Sequence, residues 1–288
     1  REQPIDLRLT LRSALFPSGD SERVVAYLRQ AETLAVALDD HHRLGQIAGF
    51  LSSHFRNQGV YDQSIAAAQR ALTLAKADED VVLQALANQF LGATYWAQGD
   101  YLRAIDCLGQ TAMSLSGAQR HERFGQAIVP SVQSRAFLAA CHAELGQFAE
   151  GNVLGEEGLQ IAETVAHPSS LMWAYYGVGL LSFYQGDLRR ALTRLERAMD
   201  ICQEANLPIF FPRMAAVLGA AYTLAGRLAD AVALPTQAME QTTAVAMVGF
   251  QALCLLPLAE AHRLAGRLEE AHALAERVLA LARAHQEL

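Results

Sequence analysis

The chain has 288 residues, 52% of them hydrophobic and only 7% aromatic, with a formal net charge of −7 and a pI near 5.7. That is apolar material for one large domain or two ordinary ones, and the acidic balance, with no Lys/Arg run, argues against nucleic-acid binding. The four cysteines (Cys107, Cys141, Cys202 and Cys254) show no CxxC or metal-type spacing, so buried free thiols in a reducing cytosol are expected.

From the N-terminus onward a glycine recurs in FPSGDSERV, RNQGVYDQS, AQGDYLRAI, ELGQFAEG, YQGDLRRAL, LAGRLADAV and LAGRLEEAH. These are Gly19, Gly59, Gly99, Gly146, Gly186, Gly226 and Gly266, with steps of 40, 40, 47, 40, 40 and 40 residues. Seven units of 40 and one seven-residue insertion account for nearly the whole chain, which predicts one continuous domain over 1–288. Other columns keep the same register. Eight residues before the glycine stand Leu11, Leu51, Leu91, Leu138, Val178, Leu218 and Leu258. The next position carries Arg12, Ser52, Gly92, Ala139, Gly179, Gly219 and Ala259, mostly small. Five after the glycine come Val24, Ser64, Ala104, Gly151, Ala191, Ala231 and Ala271; twelve after come Ala31, Ala71, Thr111, Gly158, Ala198, Ala238 and Val278.

Apolar residues recur at helical spacing on both sides of each glycine, without strand-like alternation, so each unit predicts a helical hairpin closed at the glycine. One hairpin cannot bury its own apolar face, so the units must stack. The fold class is therefore all-α, an α-solenoid of about seven elongated hairpins. The stretch Leu91-Gly92-x-x-Tyr95-x-x-x-Gly99-x-Tyr101-x-x-Ala104-x-x-x-Leu108 resembles the core of a tetratricopeptide repeat, and LGAAYTLAGRLADAV and VGLLSFYQGDLRRALTRLERA repeat it. The signature tryptophan and terminal proline are largely absent, and each helix is longer by about a turn than in the 34-residue repeat. The resemblance implies a right-handed superhelix.

Three local features stand out in chain order. The seven-residue excess lies in SLSGAQRHERFGQAIVPS (114–131), either a loop on the binding face or a longer turn that alters the twist. The segment GQFAEGNVLGEEGLQIAE (146–163) carries Gly151, Gly155 and Gly158 nearly on one helix face, which predicts unusually close helix approach or a flexible hinge. The window AVAMVGFQALCLLPLAEA (244–261) is the most apolar, but it is short for a bilayer span and contains Gln251, Pro257 and Glu260. A buried helix is expected there, with no membrane contact. No signal peptide is evident, and both ends read as those of an excised segment.

The stretches PIDLRLTLRSALFP, GDSERVVAYLRQAETLAVAL, ERFGQAIVPSVQSRAFLA, HPSSLMWAYYGVGLL and GDLRRALTRLERAMDICQEANLPIFFPRMAAVLGAAY resemble a narrower group. It is the C-terminal repeat region of large bacterial proteins that join a class III adenylate/guanylate cyclase domain to an AAA-type ATPase module. Related arrays follow ATPase modules in LuxR-type regulators. The resemblance implies a cytoplasmic signalling protein whose cyclase and ATPase residues lie outside this segment.

Within the segment no catalytic motif is found. There is no GxxxxGK[ST] loop, the only lysine is Lys76, and no HExxH occurs. Gly177-Val178-Gly179 reads as packing, His41-His42 as a solvated turn, and Glu156-Glu157 and Glu269-Glu270 as solvated faces. No cofactor or metal is expected, and this segment is not expected to be an enzyme.

Binding is the better expectation, along a concave groove lined by the first helix of each unit. Slots 2, 3, 6, 9, 10 and 13 residues before the glycine place Gln46, Phe50, Ser53, Arg56, Asn57, Gln89, Phe90 and Trp96 there. Later units add Trp173, Tyr176, Phe183, Tyr184, Arg213, Glu260 and Arg263. Aromatics and arginine are the residues that anchor interfaces. The insertion adds Arg123 and Phe124, with Arg135 just after it, as secondary groove candidates. Two functions follow. One is a regulatory scaffold that holds a partner protein, a peptide or its own N-terminal domains. The other is a sensor that binds a small molecule or peptide and relays this to an N-terminal effector. An enclosed aromatic pocket around Trp96, Trp173 and Tyr176 would favour the sensor, and an open polar groove the scaffold.

Overall fold

The structure, a computed structural model, describes residues 3–244 and 251–285. Among these the chain forms fourteen α-helices and no strand. They pair as seven hairpins. The first four are α1 (Gln3–Leu15) with α2 (Ser21–Ala37), α3 (His41–Asn57) with α4 (Tyr61–Ala77), α5 (Val81–Ala97) with α6 (Tyr101–Ser114), and α7 (Pro130–Glu144) with α8 (Phe148–Val165). Then come α9 (Pro168–Tyr184) with α10 (Leu188–Glu204), α11 (Phe211–Leu224) with α12 (Leu228–Ala244), and α13 (Gln251–Leu264) with α14 (Leu268–His285). Of the apolar window 244–261, residues 245–250 lie outside the described residues and the remainder enters α13. No described helix is long and apolar enough to cross a membrane.

All seven ruler glycines sit in the turn inside a hairpin with positive φ, from 72° to 80°. That conformation costs a residue with a Cβ about 1 kcal/mol or more, so glycine recurs there. The turns between hairpins use the same conformation without glycine, at Asp39, Glu79, Ala166 and Asn206. Helix starts carry a second periodic device. The carboxylates of Asp20, Asp40, Asp80, Asp100 and Asp187 accept from the backbone N–H three residues on, at 2.9–3.2 Å. Each such cap is worth about 1 kcal/mol.

Each helix packs on the next, and the first helices of successive hairpins also pack on one another, α3 on α5, α5 on α7, α7 on α9, α9 on α11 and α11 on α13. The small columns lie at these crossings: Ala31, Ser64, Ala104, Thr111, Ala191, Ala198, Ala231 and Ala238 are all fully buried. Within a hairpin the small residue before the glycine and the residue nine after it trade volume. A methyl group on Gly92, Gly179 or Gly219 would stand 2.6–2.8 Å from Leu108, Leu195 or Pro235 respectively. In the fourth hairpin the exchange is reversed, with Ala139 opposite Gly155.

The glycines of α8 are therefore contact sites. A Cβ on Gly151 would lie 2.9 Å from Leu181, on Gly155 3.0 Å from Val178, and on Gly158 3.1 Å from the Arg135 Cβ. The helix is stripped of side chains where it is wedged between α7 and α9. Two polar pairs on solvated faces also tie neighbouring helices together. Glu157 accepts from Arg135 on α7, and Glu156 from Arg190 and Arg194 on α10. His41 and His42 lie in the first turn of α3 and hydrogen-bond Asp78 and Asp80 of the next turn. Glu269 and Glu270 are exposed.

Candidate functional site

The first helices turn one face toward a common interior, and two connections close it. The carbonyl of Pro17, just after α1, accepts from the backbone N–H of Ile209, ahead of α11, at 3.2 Å. Beside that bond the rings of Phe16 and Phe210 meet edge to face at 6.1 Å. From the other side the insertion folds inward. The Gln126 side-chain amide donates to Gln89, which donates to Gln133, and Ser13 of α1 donates to the Gly125 carbonyl. The concave face is thus enclosed across the array rather than open along it.

What remains is a cavity of about 40 Å³, room for roughly three waters. From α3 it takes Phe50, Ser53, Arg56 and Asn57, and from α5 Gln89, Phe90 and Ala93. Helices α7, α9 and α11 add Gln133 with Phe137, Trp173, and Arg213. Arg12, Phe16, Gln126, Ala127, Ile128, Ile209 and Phe210 complete the wall. An unbroken line of rings crosses it: Trp96 to Phe137 at 4.9 Å, Phe137 to Trp173 at 5.4 Å, and Trp173 to Phe210 at 5.7 Å.

The electrostatics are one-sided. Three guanidiniums reach the cavity, and among the described residues no Asp or Glu lines it. Arg12 is 3% exposed and lies over Phe50 at 3.9 Å and Phe16 at 4.6 Å. Arg213 lies over Trp96 at 4.7 Å and Trp173 at 5.8 Å. Burial pulls Arg12 down to about 9, far below an ordinary guanidinium. Burial, with repulsion from Arg213, brings Arg56 down to about 10. The indole N–H of Trp173 and the Nε of Arg12 are buried without a hydrogen-bond partner.

Eight of the sequence candidates meet here: Phe50, Ser53, Arg56, Asn57, Gln89, Phe90, Trp173 and Arg213. Trp96 and Tyr176 back the wall, the first beneath Phe137 and Arg213, the second against Trp173. The rest lie elsewhere. Phe183 and Tyr184 stack on each other at the end of α9, where the Tyr184 hydroxyl donates to Glu144. Arg263 is exposed on α13, paired with Glu260 of its own helix. Arg123 hydrogen-bonds His167, and Phe124 packs toward Leu86 and Leu115 at the rim of the enclosure. Arg135 faces α8 rather than the interior, because its partner Glu157 and the gap left by Gly158 are both on that helix.

Arg12, Phe16, Gln126, Phe137 and Phe210 were not anticipated. Arg12 had a signal: it is the one charged residue in a column that is otherwise small. Phe16 and Phe210 stand in connections whose approach to one another depends on the curvature of the whole array.

The four cysteines are free thiols, three of them buried. Burial pushes Cys107 to about 11 and Cys202 and Cys254 to about 12, and Cys141 higher still, so all four stay protonated.

A tetratricopeptide repeat family model matches residues 252–285, the last hairpin. No curated protein sequence matches. Solved structures match along the chain at low identity. A Rap protein complexed with competence and sporulation factor is 13% identical, with a TM-score of 0.65 over 100% of this chain and 99% of that one. The Rap conjugation gene regulator of a plasmid, in complex with a Phr peptide, is 11% identical, with a TM-score of 0.63 over 98% and 96%. A signal-transduction ATPase with numerous domains from Pyrococcus horikoshii, bearing a tetratricopeptide repeat sensor, is 14% identical, with a TM-score of 0.60 over 94% of this chain and 41% of that one. These likenesses concern the fold: this chain is a tetratricopeptide-like all-helical solenoid.

Proposed function

We propose that the chain is a non-catalytic binding module, and that its concave interior acts as a ligand sensor rather than as an open docking groove. The observation that carries this is the enclosure. Arg12, Arg56, Arg213, Phe137 and Trp173 converge on one cavity, backed by Trp96 and flanked by two connections that cross the concave face. Buried guanidiniums without facing carboxylates lower the stability of the empty protein, which is a reason for such a cluster to serve binding. The Rap neighbours, one complexed with competence and sporulation factor and one with a Phr peptide, support a peptide as one class of occupant. In this reading occupancy shifts the seam between Pro17 and Ile209 and so the pitch of the array, which an attached effector detects.

The effector is proposed to be an ATPase or cyclase–ATPase of a cytoplasmic bacterial signalling protein. The residue stretches quoted above and the likeness to an ATPase with a repeat sensor support that setting. A protein-interaction scaffold is the second reading, favoured by the exposed apolar residues Leu256, Leu264, Leu268 and Leu279 at the last hairpin.

Thermal shift against peptide and metabolite libraries tests the choice. A specific rise in Tm, lost in Trp173→Ala, is expected of a sensor. No hit, together with partner capture that survives Trp173→Ala, would favour the scaffold.

A further inference from the structure

Elsewhere in the molecule many arginines meet carboxylates. Arg43 pairs with Asp6 and Asp40, Arg103 with Asp100, Arg135 with Glu157, and Arg227 with Glu196 and Asp230. Two that face the interior do not. Arg12 and Arg56 have no carboxylate within ion-pair distance among the described residues, and both line the central cavity. Arg213 enters from the facing side, near enough to Arg56 for the two charges to repel.

Three guanidiniums in one enclosure are a costly arrangement. Desolvating a cation costs several kcal/mol unless an anion replaces the lost water. The aromatic faces of Phe16 and Phe50 offset part of this for Arg12, at about 0.5–2 kcal/mol per contact. They accept none of its hydrogen bonds, and the Nε of Arg12 remains without an acceptor. The remaining polar side chains of the wall, Ser53, Asn57, Gln89, Gln126 and Gln133, supply a hydroxyl and amides that accept or donate but carry no charge. Among the described residues, nothing in the lining supplies negative charge.

We infer that the cavity is a binding site for an organic anion of at least two negative charges on an apolar body, with Arg12 and Arg56 as its principal counter-charges. This rests on the sensor reading and specifies its ligand. Guanidiniums take carboxylate or phosphate oxygens in paired hydrogen bonds. The rings of Phe50, Phe137, Trp173 and Phe210 then cover the apolar body. As it stands the cavity holds water-sized guests, so the anionic group enters the arginine cluster and its carrier parts the Phe16–Phe210 seam.

Two sources offer this chemistry, an acidic peptide and a small phosphate or polycarboxylate. The test uses the 288-residue chain with four probes: inorganic pyrophosphate, citrate, the peptide acetyl-Phe-Glu-Asp-Asp, and its neutral counterpart acetyl-Phe-Gln-Asn-Asn amide. Readouts are Tm and intrinsic fluorescence. Both tryptophans of the chain lie against Arg213, so movement there changes their emission.

The expected result is a salt-sensitive rise in Tm with at least one anionic probe and none with the neutral peptide. Arg12→Gln and Arg56→Gln should each weaken that response roughly tenfold or more. A response to the acidic peptide alone identifies a peptide source, and one to pyrophosphate or citrate a small-molecule source. Equal responses to the two peptides, unchanged in Arg12→Gln, would overturn the anion assignment and leave the sensor reading intact. Silence from all four probes in both readouts, with Arg12→Gln melting below wild type, would overturn both: Arg12 would then be structural.

Discussion

The guanidinium of Arg12 lies 3.9 Å from the centroid of the Phe50 ring, in a position where other hairpins carry a serine, an alanine or a glycine. A charge has replaced a packing residue at the mouth of the central cavity. Its side chain is buried, and its one aromatic-facing environment satisfies it only in part.

Without ligand, Arg12→Met should therefore stabilise the protein, by about 1–2 kcal/mol in urea denaturation, because a buried charge gives way to a side chain of similar length. The sign of the pH effect follows from the lowered protonation. The guanidinium titrates near 9 in the folded chain, well below its value in the unfolded chain, so the unfolded state holds the extra proton between the two. The penalty is full below pH 9 and shrinks above it. The stability difference between variant and wild type should narrow from pH 8 to pH 10.5 (values chosen about the folded pKa). A less stable Arg12→Met would show that the ring contacts outweigh the burial cost.

The fourth hairpin gives a packing test. Gly155→Leu should cost about 1–3 kcal/mol by overpacking, since any Cβ there meets Val178 at 3.0 Å and Ala139 at 3.5 Å. The added change Ala139→Gly recreates the arrangement of Gly179 with Leu195 and should recover part of the loss. A neutral Gly155→Leu in thermal unfolding would rule out close contact at this joint.

Phe210→Ala removes the ring that links Phe16 to Trp173, and the seam should loosen. Large-to-small changes at such buried rings cost about 3–5 kcal/mol. Acrylamide quenching of tryptophan should rise with it, as Trp173 is 3% exposed in the closed form. Unchanged quenching would place the closure elsewhere.

His54, on α3 beside Arg12, has a second pH signature. Burial, with repulsion from Arg29 and Arg12, lowers its protonation below the usual 6.5. Its neutral ring hydrogen-bonds the Ser21 hydroxyl at 3.2 Å. A base depressed in the folded state favours folding above its unfolded pKa, and that stability is lost as pH falls below about 6.5. His54→Gln should flatten this loss between pH 7 and pH 5 (bracketing the usual histidine value), measured by Tm against pH.

Much of the fold could be read from periodicity. The recurring glycine is required by one left-handed turn, a constraint that acts within a few residues and leaves a mark at every repeat. The small columns were legible for a similar reason: each hairpin must meet the next at the same crossing. Of the groove slots, Phe50, Arg56, Asn57, Gln89, Trp173 and Arg213 line the central cavity. Arg263, near the end of the array, and Phe183 and Tyr184, at the end of α9, lie outside it. Arg135 was misplaced because the glycines of α8 opened room for it on the other side of its helix.

By itself, then, the sequence determined the all-helical hairpin repeat, its register, the turn glycines and the small contact columns, since these rest on local backbone and nearest-neighbour packing. The enclosure was decided by tertiary structure. That Pro17 meets Ile209, that Phe16 meets Phe210, and that Arg12 comes to share a cavity with Arg56 and Arg213 depend on small rotations summed over the stack. No single repeat encodes that sum, and it is what converts a row of separate arginines into one site.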